Sequence, residues 1–326
     1  VSSVTATGGI SADQLEPYRR ELVGYCYRML GSIHEAEDAV QDTMLRAWRA
    51  LGTFEERAGL RPWLYRIATN VCIDMTKGRS RRALPMDVAP VGTSEGRLDH
   101  RRPEASWIQP APDGLILPPD GDPADRAVSR ESVRLAFIAA LQHLAPRQRA
   151  VLILRDVLRW RAAEVAVLLE TSADAVNSTL RRARQSMSAA GRDSPPSEPS
   201  ADDRELLAAY IDAFERYDVD ALVGLLRDDA IVEMPPFELW LRGRDDIREW
   251  LIAVDALANH VLTPISANGS PAVAVYSPAA PGGQPTPFAI HVLDVAAGRI
   301  SVIRSFIEPT LFELFGLPDR VNPGSE

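Results

Sequence analysis

Residues 34–48 read HEAEDAVQDTMLRAW, and the spacing within this stretch decides how the N-terminal part of the chain folds. At about 3.6 residues per turn, Ile33, Ala36, Val40, Met44, Ala47 and Leu51 share one helix face, an ordinary core stripe. The opposite face gathers Glu35, Asp38, Gln41, Asp42 and Arg49 around an outward Leu45. A helix patterned in this way buries one side and presents an acidic surface with an apolar knob on the other. Taken in isolation, a merely solvated helix face is the plainer alternative.

The chain has 326 residues, 46% hydrophobic and 25% charged. That is too long for one core of usual size, so two or three domains are expected. Cys26 and Cys72 lie in apolar helical patterns without CxxC spacing, which favours free core thiols in a reducing compartment over a metal site. The opening stretch VSSVTATGGISAD lacks a basic-then-apolar run, and no window approaches about 18 consecutive apolar residues. Neither a signal peptide nor a membrane span is expected, and the expected location is the cytoplasm.

A net charge of -9 would argue against nucleic acid if it were evenly spread. It is not. Residues 200–326 carry 9 Arg and 20 Asp+Glu, which leaves +2 for residues 1–199. Residues 61–82 hold six basic side chains against Asp74 alone, and residues 146–187 hold eight Arg against four acids. Local fields steer a phosphate backbone, so two basic islands in an acidic chain permit two separate contacts with nucleic acid.

Composition divides the chain. Residues 13–82 read as helices with a basic tail, KGRSRR. From Pro85 to Asp125 come eight prolines with Gly and Asp, so 83–122 reads as a linker, extended or partly docked. Helical periodicity returns over 123–190. Residues 191–202 have the Ser/Pro composition of a tether. Over 203–320 two helices, around 203–217 and 219–228, precede strand-like AIVEMPPF, a helix at GRDDIREWL, and the strands AVAVY, FAIHVLDV and RISVIRSFIE, with Gly298 placed for a hairpin. The expected fold is multidomain: two all-α modules followed by an α+β domain.

Residues 161–187, RAAEVAVLLETSADAVNSTLRRARQSM, have the layout of a helix-turn-helix. Val165, Ala166, Leu168 and Leu169 line the first helix; Val176, Leu180, Ala183 and Met187 recur at helical spacing in the second. Thr171 is placed to cap the second helix, with Asp174 three residues on as the capping-box acid. Asn177, Ser178, Arg181 and Arg182 then point outward, offering amide and hydroxyl groups for base edges and guanidinium for guanine or phosphate.

Together the motifs EAEDAVQD (35–42), PWLYRIATN (62–70) and PRQRAVLILRD (146–156), followed by the helix-turn-helix, resemble the second and fourth conserved regions of an extracytoplasmic-function sigma factor, a bacterial initiation subunit of RNA polymerase. The C-terminal part resembles the fused SnoaL-like domain of some members, with its cone-shaped NTF2-like fold. The resemblance implies that Asp38, Gln41, Asp42 and Leu45 dock on core RNA polymerase. An acid-rimmed apolar knob suits a basic helical partner through charge-assisted hydrogen bonds around a small desolvated centre. It further implies that Phe54 and Asn70 capture a base flipped from the promoter -10 element, with Lys77 and Arg79 on phosphates; unstacking costs a few kcal/mol, so a pocket that accepts only an extruded base supplies both melting and specificity. Trp63 and Tyr65 fit either that pocket or simple packing. Asn177, Ser178, Arg181 and Arg182 align with positions that read the -35 element, and the helix of PRQRAVLILRDVL with one that engages the polymerase flap.

In enzymes of the SnoaL-like fold a conical pocket holds a small molecule, and Glu233, Trp240, Arg242 and His291 are the candidate pocket residues here. They form no recognisable catalytic constellation, and His291 in an apolar strand reads more simply as a hydrogen-bonded core residue. A regulatory domain is therefore expected rather than an enzyme, with no cofactor, and with a small-molecule ligand and a separate anti-sigma partner both left open. A helix-turn-helix regulator with a ligand-sensing domain would leave 13–82 without a purpose. A cyclase or isomerase explains least of the chain.

Overall fold

The computed structural model describes residues 12–54, 59–118, 123–189, 201–253, 260–278 and 283–321. The chain divides into two units, residues 1–81 with 114–194 and residues 82–113 with 195–326.

In the first unit α1 (Arg19–Leu30) ends at Gly31, whose φ of 72° allows the left-handed turn, and Ser32 then caps α2 (Ile33–Ala50) by accepting from the Glu35 amide at 3.2 Å. This two-residue corner makes α1 and α2 an antiparallel pair. On it packs α3 (Leu60–Thr76), and Leu22, Cys26, Met29, Ile33, Ala36, Val40, Leu64, Ala68, Val71 and Cys72 are buried together. Met44 is only half-buried. The unit resumes within the short α4 (Asp113–Ile116) and continues with α5 (Pro123–Glu131), α6 (Leu135–Gln142), α7 (Pro146–Leu152), a π-helical turn (Ile153–Val157), α8 (Ala162–Leu168) and α9 (Ala173–Ala189). Helices α8 and α9 form the helix-turn-helix over buried Val165, Leu168, Val176, Leu180 and Ala183. The cap of α9 is Ser172, not Thr171: its hydroxyl accepts from the Ala175 amide at 3.1 Å, while the Thr171 amide is drawn back to the Ala166 carbonyl at 2.9 Å.

Two buried arginines join the halves of this unit. Arg149 on α7 donates to the Leu141, Gln142 and Leu144 carbonyls, to Gln142 Oε1, and to the Met29 carbonyl near the end of α1. Arg28 on α1 donates to the Gly24 and Ser129 carbonyls and, through two nitrogens, to Ser132 Oγ at 3.1 and 2.9 Å. Burial pushes each guanidinium down to about 10, so both stay charged at neutral pH. Arg149 is thus one of the eight arginines of 146–187 that never faces a ligand.

In the second unit α10 (Ala201–Glu215) and α11 (Val219–Gly224) precede β1 (Leu226–Glu233) and β2 (Trp240–Arg242); α12 (Arg244–Ala253) intervenes before β3 (Val261–Ala267), β4 (Ser270–Pro278), β5 (Pro285–Ala296), β6 (Arg299–Phe306) and the short α13 (Leu311–Leu314). The sheet order is β2-β1-β6-β5-β4-β3, antiparallel except for the β1–β6 pair. Strand β1 starts four residues before the expected AIVEMPPF and stops at Glu233, ahead of two prolines that cannot donate to a ladder. The expected hairpin at Gly298 forms with Ala297 and Gly298 at φ 54° and 71°.

Residues 82–113 form a strap on this unit. The strap closes on itself through Ile108 N to the Ala83 carbonyl at 3.1 Å, and buries Leu84, Trp107, Ile108 and Ala111. It is tied to the sheet by Gly92 N to the Trp240 carbonyl at 2.8 Å, Arg102 N to the Pro236 carbonyl at 3.0 Å and Asn268 N to the Ala111 carbonyl at 3.1 Å. Ion pairs Arg101–Glu308 at 2.6 Å and Arg102–Glu238 lie along its length.

Replacing Arg149 with Leu takes a donor from the buried Gln142, Leu144 and Met29 carbonyls, and each buried acceptor left without a donor costs about 1–3 kcal/mol. The Arg149→Leu protein should lose about 3 kcal/mol or more in urea unfolding, whereas Arg147→Leu, at an exposed site on the same helix, should be near neutral.

Candidate protein- and nucleic-acid-binding surfaces

Helix α2 buries Ile33, Ala36, Ala39, Val40, Thr43 and Ala47 and leaves its other face open. There Asp38 and Gln41 are exposed, and Asp42 is held by Arg46 through two hydrogen-bonding nitrogens at 3.1 and 2.8 Å. Leu45 is 46% exposed, and one turn on Trp48 is 59% exposed. The apolar knob is therefore two side chains wide. Trp48 sits inside the quoted stretch at i+3 from Leu45, and that spacing was the available signal for it. Glu35 does not join the open acidic set, because it pairs with Arg79. Such a surface gains from a partner that covers the apolar pair and supplies cations to the rim.

On α3 the side chains of Arg66 and Asn70 are exposed beside buried Leu64, Ala68 and Val71. Trp63 is nearly buried and packs at a tilt against Phe54, ring centroids 4.9 Å apart, and Tyr65 is fully buried between Tyr25 and Trp160, both at 5.0 Å. Both Trp63 and Tyr65 are packing residues here. Residues 55–58 of the preceding loop lie outside the described residues. Beyond α3, Lys77 pairs with Asp74 at 2.7 Å, and its hydrogen bond, with help from Arg46, holds the Asp74 carboxyl below its usual range. Lys77 and Arg79 are thus both in exposed ion pairs, which are weak enough to yield to phosphate.

Along α9 the four outward residues fall on two stripes. Ser178 and Arg182 point away from the buried row of Val176, Leu180 and Ala183, and Arg182 also donates to Thr179 Oγ1 at 3.2 Å. Asn177 and Arg181 lie about a quarter turn round the helix, beside Arg155 of the π-helical turn.

The four candidates in the C-terminal unit do not meet. Register places Glu233 opposite Trp240 and Arg304, and Arg304 opposite Val292, so Glu233, Trp240 and Arg242 share one sheet face. His291, one residue before Val292, is on the other. Glu233 is fully buried and accepts from Arg304 Nε at 3.0 Å and from the Met86 amide of the strap at 3.2 Å. Burial opposes the charge on Arg304, but Asp294 and Glu233 outweigh it and hold the guanidinium above its ordinary value. The Trp240 indole donates to the Ala89 carbonyl at 2.9 Å, and exposed Arg242 lies 5.4 Å over its ring.

His291 Nδ1 meets the Tyr210 hydroxyl at 2.8 Å, with Phe214 at its edge. Burial, and then neighbouring His260, push its pKa down to about 3. A cavity lined by Phe214, Tyr217, Leu222 and Leu251 measures about 10 Å³, room for no more than one water. Among the described residues no cluster of His, Cys, Asp and Glu suits a metal ion, and no helix is long and apolar enough to cross a membrane.

Because His291 is buried neutral while an unfolded histidine titrates near 6.5, the unfolded chain binds the extra proton and stability falls as pH drops below that value. This group alone should remove about 2 kcal/mol between pH 7 and pH 5. The double variant Tyr210→Phe/His291→Leu, which removes both partners together, should show a shallower loss over the same range in chemical denaturation.

Comparison with known proteins supplies the frame for these surfaces. The chain matches the families Sigma-70 region 2 over residues 15–82, Sigma-70, region 4 over 134–187, and SnoaL-like domain over 207–303. It is 50% identical over 315 residues to the ECF RNA polymerase sigma factor SigG of Mycobacterium tuberculosis, covering 94% of this chain and 83% of SigG. It is 27% identical to the probable ECF RNA polymerase sigma factor SigI of the same organism, covering 91% and 92% of the two chains. The crystal structure of the M. tuberculosis extracytoplasmic function sigma factor SigJ shares its fold, with a TM-score of 0.62 at 22% identity over 95% of this chain and all of SigJ. With half its residues shared with SigG along nearly its whole length, the chain belongs to the extracytoplasmic-function RNA polymerase sigma factors, subunits that bind core RNA polymerase and direct promoter-specific initiation.

Proposed function

We propose that the open face of α2, with Asp38, Gln41, Asp42, Leu45 and Trp48, is the surface that docks on core RNA polymerase. The observation that carries this is the exposure of Leu45 and Trp48 one turn apart within an acidic rim, on a helix whose opposite face is sealed. In the same reading the edge of α3 and its tail, with Phe54, Asn70, Lys77 and Arg79, receive the -10 element, and α9, with Asn177, Ser178, Arg181 and Arg182, receives the -35 element. The protein acts in the cytoplasm, in keeping with its two free buried cysteines.

Asp42→Arg reverses one charge on the rim, and Leu45→Ala/Trp48→Ala removes the apolar centre. Each should cut affinity for purified core polymerase at least tenfold and lower run-off transcription in step, with an unchanged circular dichroism spectrum. Full affinity in both proteins would refute the assignment.

The C-terminal unit acts as a regulator without catalysis of its own. Its Tyr210–His291 pair is closed upon itself, its Glu233 is spent on Arg304 and the strap, and the cavity beside Phe214 is too small for a substrate. The strap supplies the route of control: residues 82–113 lead directly from the -10 module toward the -35 module, so the sheet that holds them sets how much connector is free. Glu238→Arg, which breaks the pair with Arg102, should change promoter output at equal polymerase occupancy. Adding Arg102→Glu should restore it, and a double variant that behaves like the single one would argue against control through the strap.

A further inference from the structure

We propose that the clasp by which Arg82 and Ala83 hold residues 104–108 limits the reach between the two DNA-binding modules. Closed, it leaves too little chain to place α3 on the -10 element and α9 on the -35 element at once, so it must open for initiation. This rests on the reading of α3 and α9 given above and deepens that of the strap, because it names the contact that governs the length of the connector.

Arg82 ends the basic tail KGRSRR, yet it does not face solvent. Its side chain is buried, and one terminal nitrogen donates to the Glu104 carbonyl at 3.0 Å and to the Trp107 carbonyl at 2.6 Å. Next to it Ala83 donates to the Ser106 carbonyl at 3.0 Å and accepts from the Ile108 amide at 3.1 Å, and Ala83 pairs in parallel with Trp107. A parallel pair requires the chain between its members to run out and return, so residues 84–106 are looped out of the path from one module to the other. Bonds from a buried charged donor are strong enough to hold such a loop, and Glu104 is itself fixed by Gln109. The modules joined by this path lie against each other: Trp160 packs 5.0 Å from Tyr65, and Arg149 of one half donates to the Met29 carbonyl of the other.

Lengths decide the consequence. Promoter elements named for positions -10 and -35 are centred about 25 base pairs apart, or about 85 Å at about 3.4 Å per step. The modules comprise residues 1–81 and 114–194. A body of that size is about 30 Å across, which leaves about 55 Å for the connector to cross. With the clasp closed, only residues 81–83 and 107–114 count toward that connector, about 35 Å at full extension. With it open, the whole of 81–114 counts, about 110 Å. Drawing the elements together to suit the closed clasp would take a bend of roughly 140°, where strongly bent sites reach about 90°. The clasp is therefore the difference between a chain that engages one element and a chain that engages both.

The test locks and loosens the clasp in the full chain, as holoenzyme with core polymerase, on a promoter selected in vitro with that holoenzyme. Ala83→Cys/Trp107→Cys puts thiols on the two paired residues, which oxidation joins; the parent chain taken through the same oxidation is the control. The oxidised variant should keep its affinity for a duplex carrying the -35 element alone and for a forked duplex carrying the -10 element alone. It should lose run-off transcription from the two-element promoter at least tenfold and regain it on reduction. Arg82→Gln, which loosens the clasp, should raise output from that promoter at least twofold at equal polymerase occupancy. Full run-off from the oxidised variant overturns the reach limit and leaves the reading of α3 and α9 standing, as does unchanged output in the Arg82→Gln protein. Loss of single-element binding on oxidation marks damage to a module and overturns it as well. If the reduced chain initiates equally well when either element is scrambled, the reading of α3 and α9 fails, and the proposal with it.

Discussion

Arg149 is the contact on which the first unit depends. A buried guanidinium is tolerable only when its donors are met, and here they are met by carbonyls at the ends of α6 and α1, where the helix dipoles already place negative charge. Arg28 repeats the arrangement from the other side, with Ser132 and the Ser129 carbonyl. The two side chains tie the helices before residue 81 to those after residue 123. Apolar area alone would permit many packings of two small helical modules, whereas directional bonds from planar donors select one. Around them the joint is softer. Trp160 lies 5.0 Å from Tyr65 with its indole nitrogen unbonded, and Arg66 reaches Glu170 only at 3.9 Å.

The second unit uses charge differently. Arg304 sits between Glu233 and Asp294 on one sheet face, and a main-chain amide of the strap completes the set. A carboxylate that would face solvent or ligand in an open cone is instead a structural acceptor. On the other face the Tyr210–His291 pair does comparable work between α10 and β5. Polar residues that look reactive in a strand are here consumed by the packing of that strand.

Much of this was legible in the residues, for reasons that are local. The amphipathic period of α2, the core spacing of the helix-turn-helix and the Ala297–Gly298 turn are each decided within a few residues. What stayed hidden depended on register or on distant partners. Glu233, Trp240, Arg242 and His291 looked alike as polar residues near strands, and only pairing shows that His291 is on the opposite face from the other three. Arg149 counted toward a basic island because nothing nearby in sequence shows the Met29 carbonyl that helps bury it. Trp48 and strand β3 were different cases, since their signals were present: the i+3 spacing from Leu45, and Asn268–Gly269, with φ 55° and 68°, as the two-residue turn that pairs β3 with β4. Thr171 and Ser172 are both good caps, and main-chain geometry chose the second.

The discontinuous make-up of the units also sets an order of events during synthesis. Residues 82–113 leave the ribosome long before β6, which ends at Phe306, completes the sheet that receives them. At about 5–20 residues per second the interval is on the order of 10–40 s. In its first part the helices up to residue 189 are completed and free to fold, while Trp107 and Ile108 still have no sheet to rest against. The nascent chain thus carries both helical modules before the sheet that holds the strap exists, and the strap is seated last, by the final strands to be translated.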